Sequence, residues 1–265
     1  MNIDQVWAVS FSPTGTSRKI VEAIAAEISG GKYNSVDLTP FAEIKEKRFT
    51  AKDFVVIGVP VYAGRVAPLA VKRLKALQGE KTPAVLVVLY GNREYEDALI
   101  ELRDIAEEAS FLPAAASAFI GEHSFSDSDM PIAAGRPDGA DLKLAASLGK
   151  KVIRKIDKLE SLDSLSSLNV PGNFPYKDGM GSIPITPKVD LTECSRCGLC
   201  VPNCPGGAIA INDDLVMDVD RCIFCCACIK ICQEKAVYID APPMKEKQQW
   251  LHENYSKRKE PELYF

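Results

Sequence analysis

The stretch VWAVSFSPTGTS, residues 6–17, changes character at its middle. Residues 6–11 are a short apolar run. Ser12, Pro13, Thr14, Gly15, Thr16 and Ser17 then form a turn-and-cap cluster, after which Ile20, Val21, Ile24, Ala25 and Ile28 fall at helical spacing. This is strand, polar loop, helix, and the pattern recurs. FVVIGVPV (54–61) precedes a loop and an expected helix over 68–77, and AVLVVLY (84–90) precedes one over about 94–108. AAASAFIG (114–121) adds a strand, residues 141–159 a last helix, and SVDL (35–38) a short second strand, five strands in all. Strands apolar on both faces and separated by helices imply an α/β fold with a parallel sheet covered on both sides. Ligands of such folds sit beyond the carboxyl ends of the strands, which directs attention to the loops after the first, third and fourth.

Those loops are residues 12–17, 60–68 and 90–95. The first is rich in hydroxyls and opens a helix, so it offers backbone N–H groups, O–H donors and a positive dipole end, a place for a dianionic phosphate. No Gly-Lys-Ser/Thr ending and no dinucleotide glycine spacing is present. The other two loops, Pro60, Val61, Tyr62, Ala63, Gly64 and Tyr90, Gly91, Asn92 to Tyr95, each offer an aromatic beside a glycine that lets backbone approach a flat ligand. Taken singly, a hydroxyl-rich loop is most often a helix cap, and a loop tyrosine is usually surface or core. Three such loops in order on one sheet edge point to a mononucleotide with a large ring. His123, in GEHSFS, reads first as a hydrogen-bonded turn residue and second as a ligand contact.

The SPTGTS, PVYAGR and YGNREYED segments resemble the three flavin-mononucleotide loops of the flavodoxin family, a resemblance that covers about residues 3–160. It implies a five-stranded parallel sheet of order 2-1-3-4-5 and FMN as cofactor. Carried over by position, Ser12, Thr14, Gly15, Thr16 and Ser17 hold the phosphate, Tyr62 and Tyr95 bracket the isoalloxazine, and Gly91 and Asn92 meet its polar edge. Pro13 and Thr16 depart from the residues more usual there, and Tyr62 stands where many flavodoxins place tryptophan.

All nine cysteines lie between Cys194 and Cys232. Cys194, Cys197, Cys200 and Cys204 are spaced x2, x2, x3, and Cys222, Cys225, Cys228 and Cys232 repeat that spacing at an offset of 28 residues. The flanks repeat too: Asp190 matches Asp218, Ile211 matches Ile239, and Gly198 matches the surplus Cys226. Such dense, duplicated, histidine-free runs are the pattern of iron-sulfur ligation rather than of zinc, whose sites pair two knuckles across a longer loop. They resemble two-cluster bacterial ferredoxins over about residues 188–240. That resemblance implies a small α+β unit with two [4Fe-4S] clusters, one on Cys194, Cys197, Cys200 and Cys232, the other on Cys222, Cys225, Cys228 and Cys204. Gln233 departs from it, standing where proline is usual after the last cysteine.

The expected organisation is a flavodoxin-like domain over 1–160, a strap over 161–187, a ferredoxin-like domain over 188–240 and a tail over 241–265. The strap is rich in Ser, Pro and Gly but carries Phe174, Tyr176, Met180 and Ile183, too many apolar residues for a free tether. A helix near 245–255 is expected to dock through Trp250. Net charge of −4 argues against general nucleic-acid binding. The longest apolar runs are too short to span a bilayer, no secretory leader is evident, and clustered thiols suit a reducing compartment, so a cytoplasmic protein without membrane is expected. The whole resembles fused flavodoxin-ferredoxin proteins. The expected role is electron transfer between an external low-potential redox partner, the clusters and FMN. The alternative is an FMN-dependent reductase of a small organic molecule, fed by its own clusters.

Overall fold

The computed structural model describes residues 3–165, 167–179, 181 and 184–265. The chain builds β1 (Gln5–Ser10), α1 (Thr16–Ser29), β2 (Asn34–Asp37), β3 (Asp53–Tyr62), α2 (Pro68–Leu74), β4 (Thr82–Tyr90), α3 (Ala98–Glu108), β5 (Phe111–Ile120) and α4 (Gly139–Ile156). In the thiol-rich part follow β6 (Ile209–Ile211), β7 (Leu215–Met217) and α5 (Ala227–Ile231), and in the tail α6 (Pro242–Asn254) and β8 (Glu262–Tyr264). The main sheet runs β2-β1-β3-β4-β5-β8. Its first five strands are parallel, as the loops and helices between them require, and β8 closes the β5 edge antiparallel.

Alternation along the central strands divides the interior. Val55, Ile57 and Val59 of β3 join Leu86 and Val88 of β4 on one face, against Leu99 and Leu102 of α3. Phe54 and Val56 join Val85 and Val87 on the other, against Ile20, Val21 and Ile24 of α1 and Leu148 and Val152 of α4. Each such fully buried aliphatic side chain contributes roughly 1.5–3 kcal/mol of transfer free energy. The β4–α3 loop is longer than periodicity suggests. Asn92 and Glu96 both have positive φ, 66° and 45°, and α3 begins only at Ala98. The second helix likewise stops at Leu74, and Leu77–Gly79 pairs instead with Lys47–Phe49.

The strap lies across α3. Arg103 and Arg65 donate to the carbonyls of Leu168 and Lys177, the backbone N–H groups of Asn173 and Lys177 donate to Asp97, and the Tyr176 hydroxyl donates to Asp104. Leu168 and Val170 are buried, whereas Phe174 is 77% exposed and meets only Tyr176, edge-on, among the described rings. Met180 and Ile183 lie outside the described residues. In the tail, Trp250 is 39% exposed, so docking falls to the buried Leu251 and Gln248 instead. The helical face that meets the body is set by those two residues, which leaves Trp250 to stack on Tyr255 and Lys247.

The sequence repeat is a backbone repeat. Asp190 N–H bonds Ala236 O while Asp218 N–H bonds Ala208 O, so each half ties to the other. The pairing of Ile209 with Met217 returns as Val237 with Val189. Arg196 and Phe224 (φ 54° and 51°), Gly198 and Cys226 (77° and 60°), and Gly207 and Lys235 (60° and 55°) occupy equivalent left-handed positions.

The approach of α1 to the sheet is tight at Gly58, where a Cβ would lie 2.2 Å from Val21 Cγ2. Gly58→Ala is therefore expected to cost about 1–3 kcal/mol of stability through overpacking. Denaturant unfolding checks it, and a cost within error of zero would contradict this contact.

Candidate functional site

A cavity of about 310 Å³ opens at the carboxyl ends of β1, β3, β4 and β5, a size typical of small-molecule sites. Ser12, Pro13, Thr14, Thr16 and Ser17 form one end, Pro60, Val61, Tyr62 and Ala63 one wall, and Tyr90 and Gly91 another. Gly15 starts α1 with φ 80° and lines an adjoining hollow with Arg18, Asn203 and Lys230. Ser12 is committed locally: its backbone N–H donates to the Thr39 hydroxyl, and its own hydroxyl accepts from Arg18 N–H. Ser17 Oγ is different. It is buried with no hydrogen-bond partner among the described residues, at a helix start that carries no acidic side chain. An orphaned buried hydroxyl beside open backbone N–H groups and a positive dipole end fits a phosphate, and the aromatic walls fit a flat ring. The residues present therefore suit FMN.

Three residues expected at the ligand stand elsewhere. Gly64 does not line the cavity. Its φ is 83° and a Cβ there would overlap the Glu96 side chain, so it serves the turn against that carboxylate. Asn92 turns away from the cavity and donates its amide N–H groups to the carbonyls of Tyr255 and Lys257 in the tail. Tyr95 is buried, its ring 5.4 Å from Tyr90 and its hydroxyl bonded to Glu262 and Tyr264 of β8. The physical reason is common to Asn92 and Tyr95: the loop reverses at Asn92 and Glu96 and presents these side chains to the C-terminal segment.

In their place the cavity is walled by Arg93, by Glu122, His123, Ser124 and Phe125 after β5, by Phe224 from between two cysteines, and by Met244, Lys247 and Leu251 of α6. Only His123 among these carried a signal in sequence. The others are brought in by contacts far apart along the chain, such as Gln248 donating to Phe125 O and Asp127.

The thiols of the two runs lie close to one another. Those close enough to raise the Cys200 pKa by like charge, after burial itself, are Cys194, Cys197 and Cys232. Burial pushes the Cys225 thiol up to about 12, with Cys204 and Cys222 adding like charge. Cys228 is raised by burial and then by Cys225, Cys222, Cys204 and, from the first run, Cys200. Cys226 is fully buried, and its Sγ–H points to Phe224 O at 3.6 Å. Among the described residues no three His, Cys, Asp or Glu side chains are gathered for a single metal ion. In a four-iron cluster each iron takes one cysteine sulfur, so its ligands stand further apart than those of one ion. Backbone donors are in place as well, Ala208 N–H lying 3.2 Å from Cys204 Sγ. The thiol chamber of Cys204, Cys222, Cys225 and Cys228 shares Phe224 with the cavity. Tyr62, also in the cavity wall, has its pKa raised by burial and then by Cys225 and Cys226.

The two units are fastened together. The buried Arg73 guanidinium donates to the carbonyls of Leu38 and Thr39 and, at 2.6 Å, to Pro205 O next to Cys204. Lys230 of α5 donates to Glu122 and to Ser126 O. Arg221 stacks on Phe41 at 4.6 Å.

A parallel sheet with this cavity at its carboxyl edge defines a flavoprotein of flavodoxin type joined to an iron-sulfur unit. A flavodoxin domain family model matches residues 9–123, and a 4Fe-4S binding domain model matches residues 187–210. The chain thus joins a flavodoxin domain, which implies FMN, to a 4Fe-4S binding domain, which implies a 4Fe-4S cluster, in the manner of fused flavodoxin-ferredoxin proteins. A probable ferredoxin of Methanosarcina thermophila is 47% identical over 34 residues, 13% of this chain. The chain spans 59% of that relative's length. Among solved structures, a flavodoxin from the domain Archaea aligns with a TM-score of 0.37 at 15% identity, covering 58% of this chain and 99% of that one. The flavodiiron core of a Synechocystis protein aligns at 0.42 and 15% identity, covering 58% and 36%. The rubredoxin oxygen:oxidoreductase of Desulfovibrio gigas aligns at 0.38 and 12%, covering 59% and 36%. Among the described residues no helix is long and apolar enough to cross a membrane.

Ser17→Ala and Tyr95→Phe separate the two kinds of residue. Ser17→Ala removes a hydroxyl that has no partner in the protein, so apoprotein stability should hold while FMN affinity falls about 10-fold or more, the loss of one charge-assisted bond. Tyr95→Phe should leave FMN affinity within about 2-fold and cost about 1 kcal/mol of stability at the β8 edge. Flavin fluorescence titration and denaturant unfolding read both, and the reverse pattern would overturn the assignment.

Proposed function

We propose that the chain carries electrons between an external redox partner, two [4Fe-4S] clusters and FMN bound in the cavity. The clusters are assigned to Cys194, Cys197, Cys200 and Cys232, and to Cys222, Cys225, Cys228 and Cys204. FMN is assigned to the loops at 12–17, 60–63 and 90–91. In this reading residues 1–160 form the flavin unit and 188–240 the cluster unit, with 161–187 strapping one to the other and 241–265 completing the flavin unit. The observation that carries it is Phe224. Flanked by Cys222 and Cys225, it stands in the wall of the cavity and of the thiol chamber at once. Two redox groups separated by one side chain favour transfer within one molecule. The alternative is an FMN-dependent reductase of a small organic molecule, fed by its own clusters.

Anaerobic cofactor analysis should return one FMN with about eight iron and eight acid-labile sulfide per chain, four of each per cluster. Zinc in place of iron, or four iron only, would refute the two-cluster assignment. Cys204→Ala should damage the cluster of Cys222, Cys225 and Cys228 rather than that of its sequence neighbours. Electron paramagnetic resonance distinguishes these, since Cys197→Ala must then disable a different cluster.

Rapid mixing with a one-electron reductant provides the second check. Clusters should bleach first and flavin follow at a rate independent of protein concentration, because the fold holds donor and acceptor at high effective concentration. A rate that scales with protein concentration would mean the cofactors serve separate partners. Steady turnover with a defined small substrate would promote the reductase instead.

A further inference from the structure

His123 stands in the cavity wall, at the turn after β5, and its ring is packed on Gly91 so closely that a Cβ there would lie 2.2 Å from His123 Cδ2. Its Nδ1 accepts from the backbone N–H of Phe125 at 3.0 Å. An imidazole whose Nδ1 accepts must, when neutral, carry its proton on Nε2. Nε2 has no protein partner among the described residues, and it is not among the sealed-off polar atoms that lack one. The ring is kept neutral by its surroundings: burial, with Lys230, Arg93 and Lys247 nearby, holds its pKa down at about 4. Phe125 meets the ring edge-on at 4.9 Å and fixes its plane, and Phe125 meets Phe224 edge-on at 5.7 Å.

We propose that His123 is a flavin-positioning residue: a neutral imidazole locked as the Nε2–H tautomer, which donates that N–H to an acceptor on the isoalloxazine ring of FMN. The ring, not the phosphate, is the partner because His123 packs on Gly91 of the β4–α3 loop, whereas the phosphate end is built by Ser17 and the start of α1. The donor is held by the backbone of its own turn on one side and by Gly91 on the other, so little is left to reorganise when the ligand arrives. A fixed donor stabilises an acceptor more as electron density on it rises. His123 therefore favours reduced FMN over oxidised FMN. It also heads an aromatic series, His123, Phe125, Phe224, that runs from the cavity to the Cys222–Cys225 turn.

This rests on FMN occupying the cavity, and binding of FMN and riboflavin to the wild-type chain, measured first, tests that reading by itself. His123→Phe keeps a flat ring without a donor, and His123→Gln restores an N–H. In the full chain with clusters assembled, His123→Phe should weaken oxidised FMN and riboflavin equally, about 10-fold for one lost hydrogen bond with an unpaired acceptor. Dithionite-reduced FMN should be weakened further, so that the flavin becomes harder to reduce, and His123→Gln should recover part of both effects. Loss confined to FMN with riboflavin unaffected would place the donor at the phosphate and overturn the proposal. So would an equal loss for oxidised and reduced flavin, or no recovery with glutamine. If wild-type chain binds neither flavin, the cavity assignment fails and the His123 proposal with it.

Discussion

The edge-on contact of Phe125 with Phe224 is the joint on which the two halves of this molecule depend. Phe125 follows β5 of the flavin unit, and Phe224 sits between cysteines of the cluster unit. Each half has its own hydrophobic cluster, and Ile223, beside Phe224, packs against the core of the flavin unit. With that contact, the cavity and the thiol chamber have a wall in common. Arg73, Lys230 and Arg221 hold the same interface through a carbonyl, a carboxylate and an aromatic face. The Arg73 guanidinium is nearly buried, and burial lowers its pKa. A cation in that position is tolerable because three carbonyls receive it.

Seen from the cavity, the tail is not an appendage. Asn92, Arg93 O and Tyr95 in the β4–α3 loop bond to Tyr255 and Lys257, to Lys259, and to Glu262 and Tyr264 respectively. Gln248 and His252 reach the loop after β5. Arg136, paired with the buried Asp141, also donates to Lys259 O, and Arg258 pairs with Asp138 at the start of α4. One segment of chain thus ties the loops beside the cavity to each other, and β8 extends the sheet beneath them. Loops tied in this way keep the shape of a site with less reorganisation on binding.

The cluster unit shows how duplication satisfies a geometric demand. Three thiols spaced by two residues wrap one side of a cluster, and the fourth must come from elsewhere. The two halves exchange backbone bonds, Asp190 with Ala236 and Asp218 with Ala208, so each half is held against the other. Cys226 occupies the left-handed position that Gly198 fills in the first half. A small side chain is what such a position tolerates, and Cys226 packs there inside the interface with Tyr62 nearby.

Local periodicity and spacing were enough to read five parallel strands, their order through a family resemblance, the polar turn at Ser12–Ser17 that opens α1, and the two thiol runs. Each of these is encoded within a few consecutive residues: strand patterning by alternation of apolar faces, the helix start by hydroxyls and Gly15, the cluster runs by cysteine spacing. The residues misread at the site, Gly64, Asn92 and Tyr95, are all in loops whose direction is set by positive φ angles and by partners more than 30 positions away or in the next turn. Trp250 failed as an anchor for a similar reason, since a helix of weak amphipathicity does not declare which face will meet the body. Met244, Leu251, Phe125 and Phe224 became cavity walls only through tertiary contact. The sequence by itself determined which chemistry the two units can hold. Tertiary structure decided that the cavity and the thiol chamber share a wall and that the tail lines the cavity, because side chains distant along the chain meet there for reasons of packing that no local pattern records.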